Sequence, residues 1–135
     1  MIEMALTLPL LMLIAVGIFD FGRAYQTWQV LTNAAREGAR VAVLPNATPA
    51  QVQARVTAYM QAGQLGNAAG ATVAVNQAAT VSLGAAGTAT ASLVTVNYPY
   101  SFMLLGPIAN MIQGGPSIGA PFTMVASAEM RNEAQ

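Results

Sequence analysis

Sixteen consecutive residues, Met4 to Phe19, carry no formal charge, and no strong helix breaker follows them until Pro45-Asn46. A bilayer span needs about 20 apolar residues, with a range of roughly 17–25, so this run is marginal by itself. The pattern continues through Phe21, Ala24, Tyr25, Trp28, Leu31, Ala35, Ala39 and Ala42 at spacings of three or four, which is helical periodicity. Ile2 to Leu44 is therefore predicted to form one helix of about 43 residues, ~65 Å long at ~1.5 Å per residue. Its first third is apolar all round and the remainder is amphipathic. Pro9, Gly17 and Gly22 lie inside it. In water they would cost ~3 kcal/mol for proline and ~1 kcal/mol for each glycine, whereas membrane helices tolerate both residue types. The two glycines also let another helix approach, although their spacing of five is not the GxxxG pattern.

A cleaved secretory signal wants a basic start and a small-residue cleavage site. Met1-Ile2-Glu3 precedes the apolar run and Phe19-Asp20-Phe21 follows it, so the run is expected to stay on the protein. The rest of the composition points the same way. Only 7% of the residues are charged, five arginines and five acids, against about a quarter in an ordinary soluble domain. So bare a surface implies cover by a membrane or an assembly. Zero net charge offers no long-range attraction to nucleic acid and little repulsion against self-association. With no cysteine and no histidine, the chain lacks a disulfide framework, a thiol nucleophile, and the commonest general base and metal ligand. Glu129 and Glu133 are not placed in any pocket by the sequence, and the serines and threonines have no base to activate them. No enzyme activity, cofactor, metal or small-molecule substrate is expected, and a periplasmic enzyme tethered by its N-terminus is disfavoured on the same ground.

Beyond Pro45, Thr48 is an N-cap, Pro49 stands at the first helical position and Gln51 completes a capping box. A second helix is predicted over Pro49 to Ala62, with Val52, Val56, Tyr59 and Met60 on one face and Gly63 as a left-handed stop. From Ala71 the texture turns to Val, Thr, Ala and Ser. Strands are predicted near Thr72–Asn76, Thr80–Leu83, Thr90–Tyr98 and Pro121–Arg131, with Gly84–Gly87 as a hairpin loop. The last strand alternates, Phe122, Met124, Ala126, Ala128 and Met130 on one face against Thr123, Val125, Ser127, Glu129 and Arg131 on the other, the signature of one buried side. The expected fold class is α+β: a long N-terminal α-helix packed, through its Trp28/Leu31/Ala35 stripe, on a small antiparallel β-sheet with one short extra helix. Residues 1–44 would be the membrane anchor or filament core and residues 45–135 a small α+β head.

Several side chains bear on assembly. Asp20 and Arg23, three apart, share a helical face and read as an ion pair closing the span, either at the lipid headgroups or inside a bundle of helices. Arg36, Glu37 and Arg40 read as a solvated stripe with one i,i+3 pair, or as inter-subunit salt bridges. Tyr98, Tyr100, Phe102, Met103, Leu104 and Leu105 are dense in apolar surface for a loop, and read either as folded-back core or as a patch that meets the next subunit or the membrane. Asn46-Ala47-Thr48 fits a glycosylation triplet, but Thr48 already serves as a cap.

The segments "LPLLMLIAVGIFDFGRAY", "QVLTNAAREGARVAV" and the terminal "VASAEMRNE" resemble the TadE-like family of tight-adherence, type IV pilin-like pilus proteins. That family shows a glutamate, an L-P-L-L run, a G-I-x-[DE]-[FY]-G-R phrase and an N-A-A-R-E-G-A-R signature. The resemblance is specific over the first forty-odd residues, weaker in the middle, and returns at "YPYSFMLLGP" and the last strand. It implies a type IV pilin-like fold and a subunit that sits in the inner membrane before assembly and then forms a homo-oligomeric helical filament, a pilus on a bacterial surface, together with other pilus-machinery proteins. It also leaves open a minor, membrane-resident accessory pilin that primes or caps a filament of another pilin. By the same resemblance Glu3 would pair with the N-terminal amine of its own or a neighbouring subunit, the alternative being a place among lipid headgroups. Arg23, Arg36 and Arg40 follow the span, which by the positive-inside rule alone would leave the head in the cytoplasm. Pilin leaders normally supply the opposing positive charge, so the resemblance implies an outward head.

Overall fold

A computed structural model describes residues 2–82, 84, 87–107 and 121–132 of the chain. Its elements are α1 (Ile2–Ala42), α2 (Pro49–Ala62), a 3-10 turn (Ala68–Gly70), β1 (Thr72–Ser82), β2 (Thr88–Tyr100) and β3 (Phe122–Arg131). The α+β expectation is met by one long helix, a short second helix and a three-stranded antiparallel sheet in the order β1-β2-β3. The chain divides into two compact units. The first comprises Met1–Thr27 and Tyr100–Phe122, and the second Trp28–Pro99 and Thr123–Gln135.

The core of the second unit is built from small residues on α1 and branched ones opposite. Leu31, Ala34, Ala35, Ala39 and Ala42 are buried along α1, with Val52, Val56 and Met60 on α2 and Ala91, Val94, Val96 and Tyr98 on β2. Gly38 sits within the α1 stripe, and a Cβ added there would lie 2.5 Å from a methyl of Val56 and 3.2 Å from one of Val94. The glycine is thus what lets α1 approach this closely. Trp28, expected in the same stripe, is instead 44% exposed. The buried positions of the stripe are Leu31, Ala34, Ala35, Gly38 and Ala39 instead.

α1 ends at Ala42, two residues short of the expected limit, and the chain turns at Asn46 with φ of 63°. Asparagine tolerates that left-handed conformation better than most residues. The last carbonyls of a helix need donors from elsewhere. That of Ala42 accepts from Gln77 Nε2 at 3.1 Å and lies 3.3 Å from the buried Ser92 hydroxyl, which is also 2.8 Å from Asn132 Oδ1. α2 has the predicted bounds and the predicted cap: Gln51 N donates to Thr48 Oγ1 (3.3 Å) and Thr48 N donates to Gln51 Oε1 (3.0 Å). Its end differs. Gly63 has φ of −77°, and the left-handed residue is Gln64, at 58°. Leu65 N donates to Met60 O and Gln64 N to Gln61 O, the paired bonds of a Schellman ending with Gln64 in the C′ place. Gly63 is required for space, since a Cβ would meet a methyl of Val30 at 2.5 Å.

Three strands replace the expected four. Thr72–Asn76 and the residues from Thr80 are one strand, interrupted between Asn76↔Leu93 and Ala79↔Ala91 by a bulge. A bulge re-aims a side chain, and here Gln77 Nε2 reaches Ala42 O and Ala47 O (3.1 and 3.0 Å). Leu83, Ala85 and Ala86 lie outside the described residues. Gly84 and Gly87, with φ of 65° and 97°, flank the loop that joins the paired Ser82 and Thr88, as the hairpin reading expects. On β3, Met124 and Ala126 are buried and Ala128 and Met130 half-buried, while the opposite face is exposed, as the alternation predicts, but Phe122, expected on the buried face, is 43% exposed.

The two kinds of helical glycine should respond oppositely. Gly38→Ala is expected to lose about 1–3 kcal/mol of stability through overpacking. Gly22→Ala, where a Cβ meets nothing within 4 Å, is expected to be neutral or to gain up to about 1 kcal/mol. Denaturant unfolding in detergent micelles, followed by circular dichroism, checks both.

Candidate assembly site

The residues singled out on α1 fall into three environments. From Met4 to Tyr25 the large apolar side chains face outward: Met4, Leu8, Leu10, Leu11, Met12, Leu13, Ile14, Ile18, Phe19, Phe21 and Tyr25 are all exposed. Leu10 through Ile14 are exposed in unbroken succession, so every side of the helix is apolar there rather than one stripe. α1 is long and apolar enough to cross a membrane, and only 6% of its most apolar stretch is buried within the chain. The core helix of a water-soluble protein would be mostly buried instead. Glu3 and Pro9 are exposed on this part, and a Cβ built on Gly17 or Gly22 meets nothing within 4 Å.

At the end of the apolar part stands Asp20, with no exposed surface. Its Oδ2 accepts from the backbone N–H groups of Leu104 (2.9 Å) and Leu105 (2.8 Å). Those two N–H groups open a helical segment whose described residues are 105–107, so Asp20 caps its start from 84 residues away in sequence as an N-cap carboxylate would locally. The Tyr100 hydroxyl donates to the Asp20 carbonyl at 3.4 Å. Asp20 Oδ1 is buried and has no hydrogen-bond partner among the described residues. The expected Asp20–Arg23 pair is thus replaced: the carboxylate is taken by backbone donors, and Arg23 Nη1 lies 2.9 Å from Met103 Sδ. The aromatic rings of Phe21, Tyr100, Phe102 and Phe122 form a chain of mostly edge-to-face contacts, with centroids 5.5–5.8 Å apart. The loop patch divides accordingly. Tyr98 and Tyr100 are buried, Phe102 and Leu105 half-buried, and Met103 and Leu104 exposed.

Trp28, Arg36 and Arg40 are exposed further along α1. Glu37 makes the expected contact with Arg40 (3.7 Å) and a closer one that spacing along the chain does not reveal. Arg55 on α2 donates through Nε (3.2 Å) and Nη2 (2.9 Å) to Glu37 Oε1. Among the described residues no group of three or more acidic side chains could hold a metal ion, and Glu133 lies outside them.

A model of the TadE-like protein family matches residues 1–40. The match takes in the outward-facing apolar part of α1, Asp20, and the Arg36/Glu37/Arg40 stripe, and it associates the chain with tight-adherence pilus proteins. No curated protein and no solved structure matches the chain.

The two polar contacts should differ in weight. Asp20→Ala leaves two N–H groups without an acceptor and is expected to cost about 1–3 kcal/mol for each. Arg55→Ala breaks a pair that is half open to water, which is worth at most ~1 kcal/mol. Parallel denaturant titrations of the two variants in micelles check the ranking.

Proposed function

We propose that the chain is a structural, pilin-like subunit that polymerises into an extracellular tight-adherence pilus through α1. The observation that carries this is the outward apolar surface of Met4 to Tyr25, in a helix whose later residues are committed to a folded core. Such a helix needs an apolar environment on every side. The inner membrane supplies it first, and the packed helices of a filament on the bacterial surface supply it afterwards. Residues 1–44 act as anchor and then filament core, and residues 45–135 as the head. The exchange of lipid for helix contacts is driven by dispersion and close packing rather than by a hydrophobic difference, which suits the open surface at Gly17 and Gly22. Glu3, Asp20, Arg23, Trp28 and the Arg36/Glu37/Arg40 stripe are the proposed register marks between subunits and towards other pilus-machinery proteins. The role is structural, with no catalysis.

A minor accessory subunit that primes or caps a filament of another pilin would use the same residues, and stoichiometry separates the two. Material sheared from cells is expected to contain filaments in which this chain is the most abundant protein, and deletion of the chain is expected to abolish them. Filaments that persist unchanged without it would sink the proposal. A trace amount beside a more abundant pilin would favour the accessory role.

A further inference from the structure

In the first unit, the exposed apolar surface is not confined to α1. Met103 is 61% exposed and Leu104 38%, while on α1 Phe19 and Phe21, either side of Asp20, are 58% and 64% exposed. The loop carrying them is held at a fixed level of the helix, because Asp20 accepts from the N–H groups of Leu104 and Leu105, and Asp20 is the first charged residue after the uncharged run. Phe102 stacks edge-on against Phe21 at 5.8 Å and pins the loop a second time. Arg23, also exposed, lies with Nη1 2.9 Å from Met103 Sδ.

We propose that residues 102–105 form a second membrane contact, a short element that lies in the lipid interface where α1 leaves the bilayer. This rests on the reading of α1 as a membrane-contacting helix. Three observations favour lipid over a second protein surface. Among residues 102–105 two side chains are exposed, far below the about 800 Å² per partner of a stable protein interface, whereas lipid asks only for continuity with an apolar surface already present. Irregular backbone at membrane depth is tolerated only when its polar groups are satisfied by protein, and the Leu104 and Leu105 N–H groups are satisfied by a fully buried carboxylate. A guanidinium beside the apolar tip can extend to headgroup phosphates while its stem stays in apolar surroundings. Asp20 is the positioning residue, since it sets the level at which Met103 and Leu104 meet the lipid.

The test uses the full chain in vesicles of mixed phosphatidylcholine and phosphatidylglycerol. In a Trp28→Phe background, Met103→Trp places one reporter in the loop and Leu13→Trp, in a separate variant, places one in the helix. Lipids brominated near the headgroup end or near the tail end of their acyl chains serve as quenchers. The loop reporter is expected to emit at shorter wavelength than in water and to be quenched more by the shallow bromines. The helix reporter is expected to be quenched more by the deep ones. Adding Asp20→Ala is expected to reduce quenching of the loop reporter and leave the helix reporter unchanged. A water-like, unquenched loop reporter beside a quenched helix reporter overturns this inference and leaves the proposed function standing. If neither is quenched, both fall. Loop emission that follows the protein-to-lipid ratio and ignores the bromines overturns it in favour of contact between copies. Loop quenching indifferent to Asp20→Ala removes Asp20 from its positioning role. Leu104→Trp serves as a second loop reporter should Met103→Trp fail to fold.

Discussion

A buried carboxylate beside an apolar helix is costly unless it is well supplied with donors. Asp20 meets that condition at Oδ2, with two short bonds from consecutive backbone N–H groups, and not at Oδ1, which has no partner among the described residues. The arrangement solves two problems with one side chain. The charge is removed from contact with the surroundings, and a non-helical stretch of backbone that would otherwise present bare N–H groups becomes compatible with them. Among the described residues of the first unit the same region holds the ring chain of Phe21, Tyr100, Phe102 and Phe122 and the Tyr100 hydroxyl on the Asp20 carbonyl.

α1 follows two packing rules in turn. Before Asp20 it carries Leu, Ile, Met and Phe on every side and points them outward. After Thr27 its buried stripe shrinks to Ala34, Ala35, Gly38, Ala39 and Ala42, with Leu31 the one large member. The first pattern maximises apolar area offered to the surroundings, and the second minimises the distance to the neighbouring helix and strand. The second unit needs that closeness. No Asp, Glu, Lys or Arg occurs between Arg55 and Glu129, so across that stretch order comes from packing and from hydrogen bonds such as those of Gln77 and Ser92, and the ion pairs of this unit among the described residues are those of Glu37 with Arg40 and Arg55.

The features that read correctly from the sequence are those set by neighbours in the chain. The capping box at Thr48 and Gln51 fixes the start of α2, the alternation of β3 fixes its buried face, and the 3.6-residue pattern carries α1 to within two residues of its end. The failures share a cause. Gln77 to Ala79 reads as a break between strands, whereas the pairing shows a bulge between Asn76 and Ala79 from which Gln77 reaches the carbonyls of Ala42 and Ala47. Gly63 reads as a left-handed stop because that is glycine's usual reason for ending a helix, yet its reason here is Val30. Asp20 and Arg23 read as a pair because spacing sees only one helix face. The backbone donors of Leu104 and Leu105 carry no side-chain signature at all, so no pattern search finds them.

On the proposed function, the weakness of the first part of α1 as a water-facing helix becomes intelligible. An exposed interior glycine costs about 1 kcal/mol against alanine, and a Cβ built on half-buried Gly17 or exposed Gly22 meets nothing within 4 Å. In lipid there is no hydrophobic drive for helices to associate, and what remains is dispersion, which falls off steeply once a gap opens. A glycine that faces nothing in the single chain is a place where a neighbouring helix can come within dispersion range. The same residues that make α1 a poor isolated helix thus make it a good packing surface. Charge has to be placed sparingly on such a surface, and along the apolar part it is confined to the two ends, Glu3 at the start and Asp20 with Arg23 at the finish. Asp20 stays among the proposed register marks, because its Oδ2 is taken by backbone donors while its buried Oδ1 has no partner among the described residues.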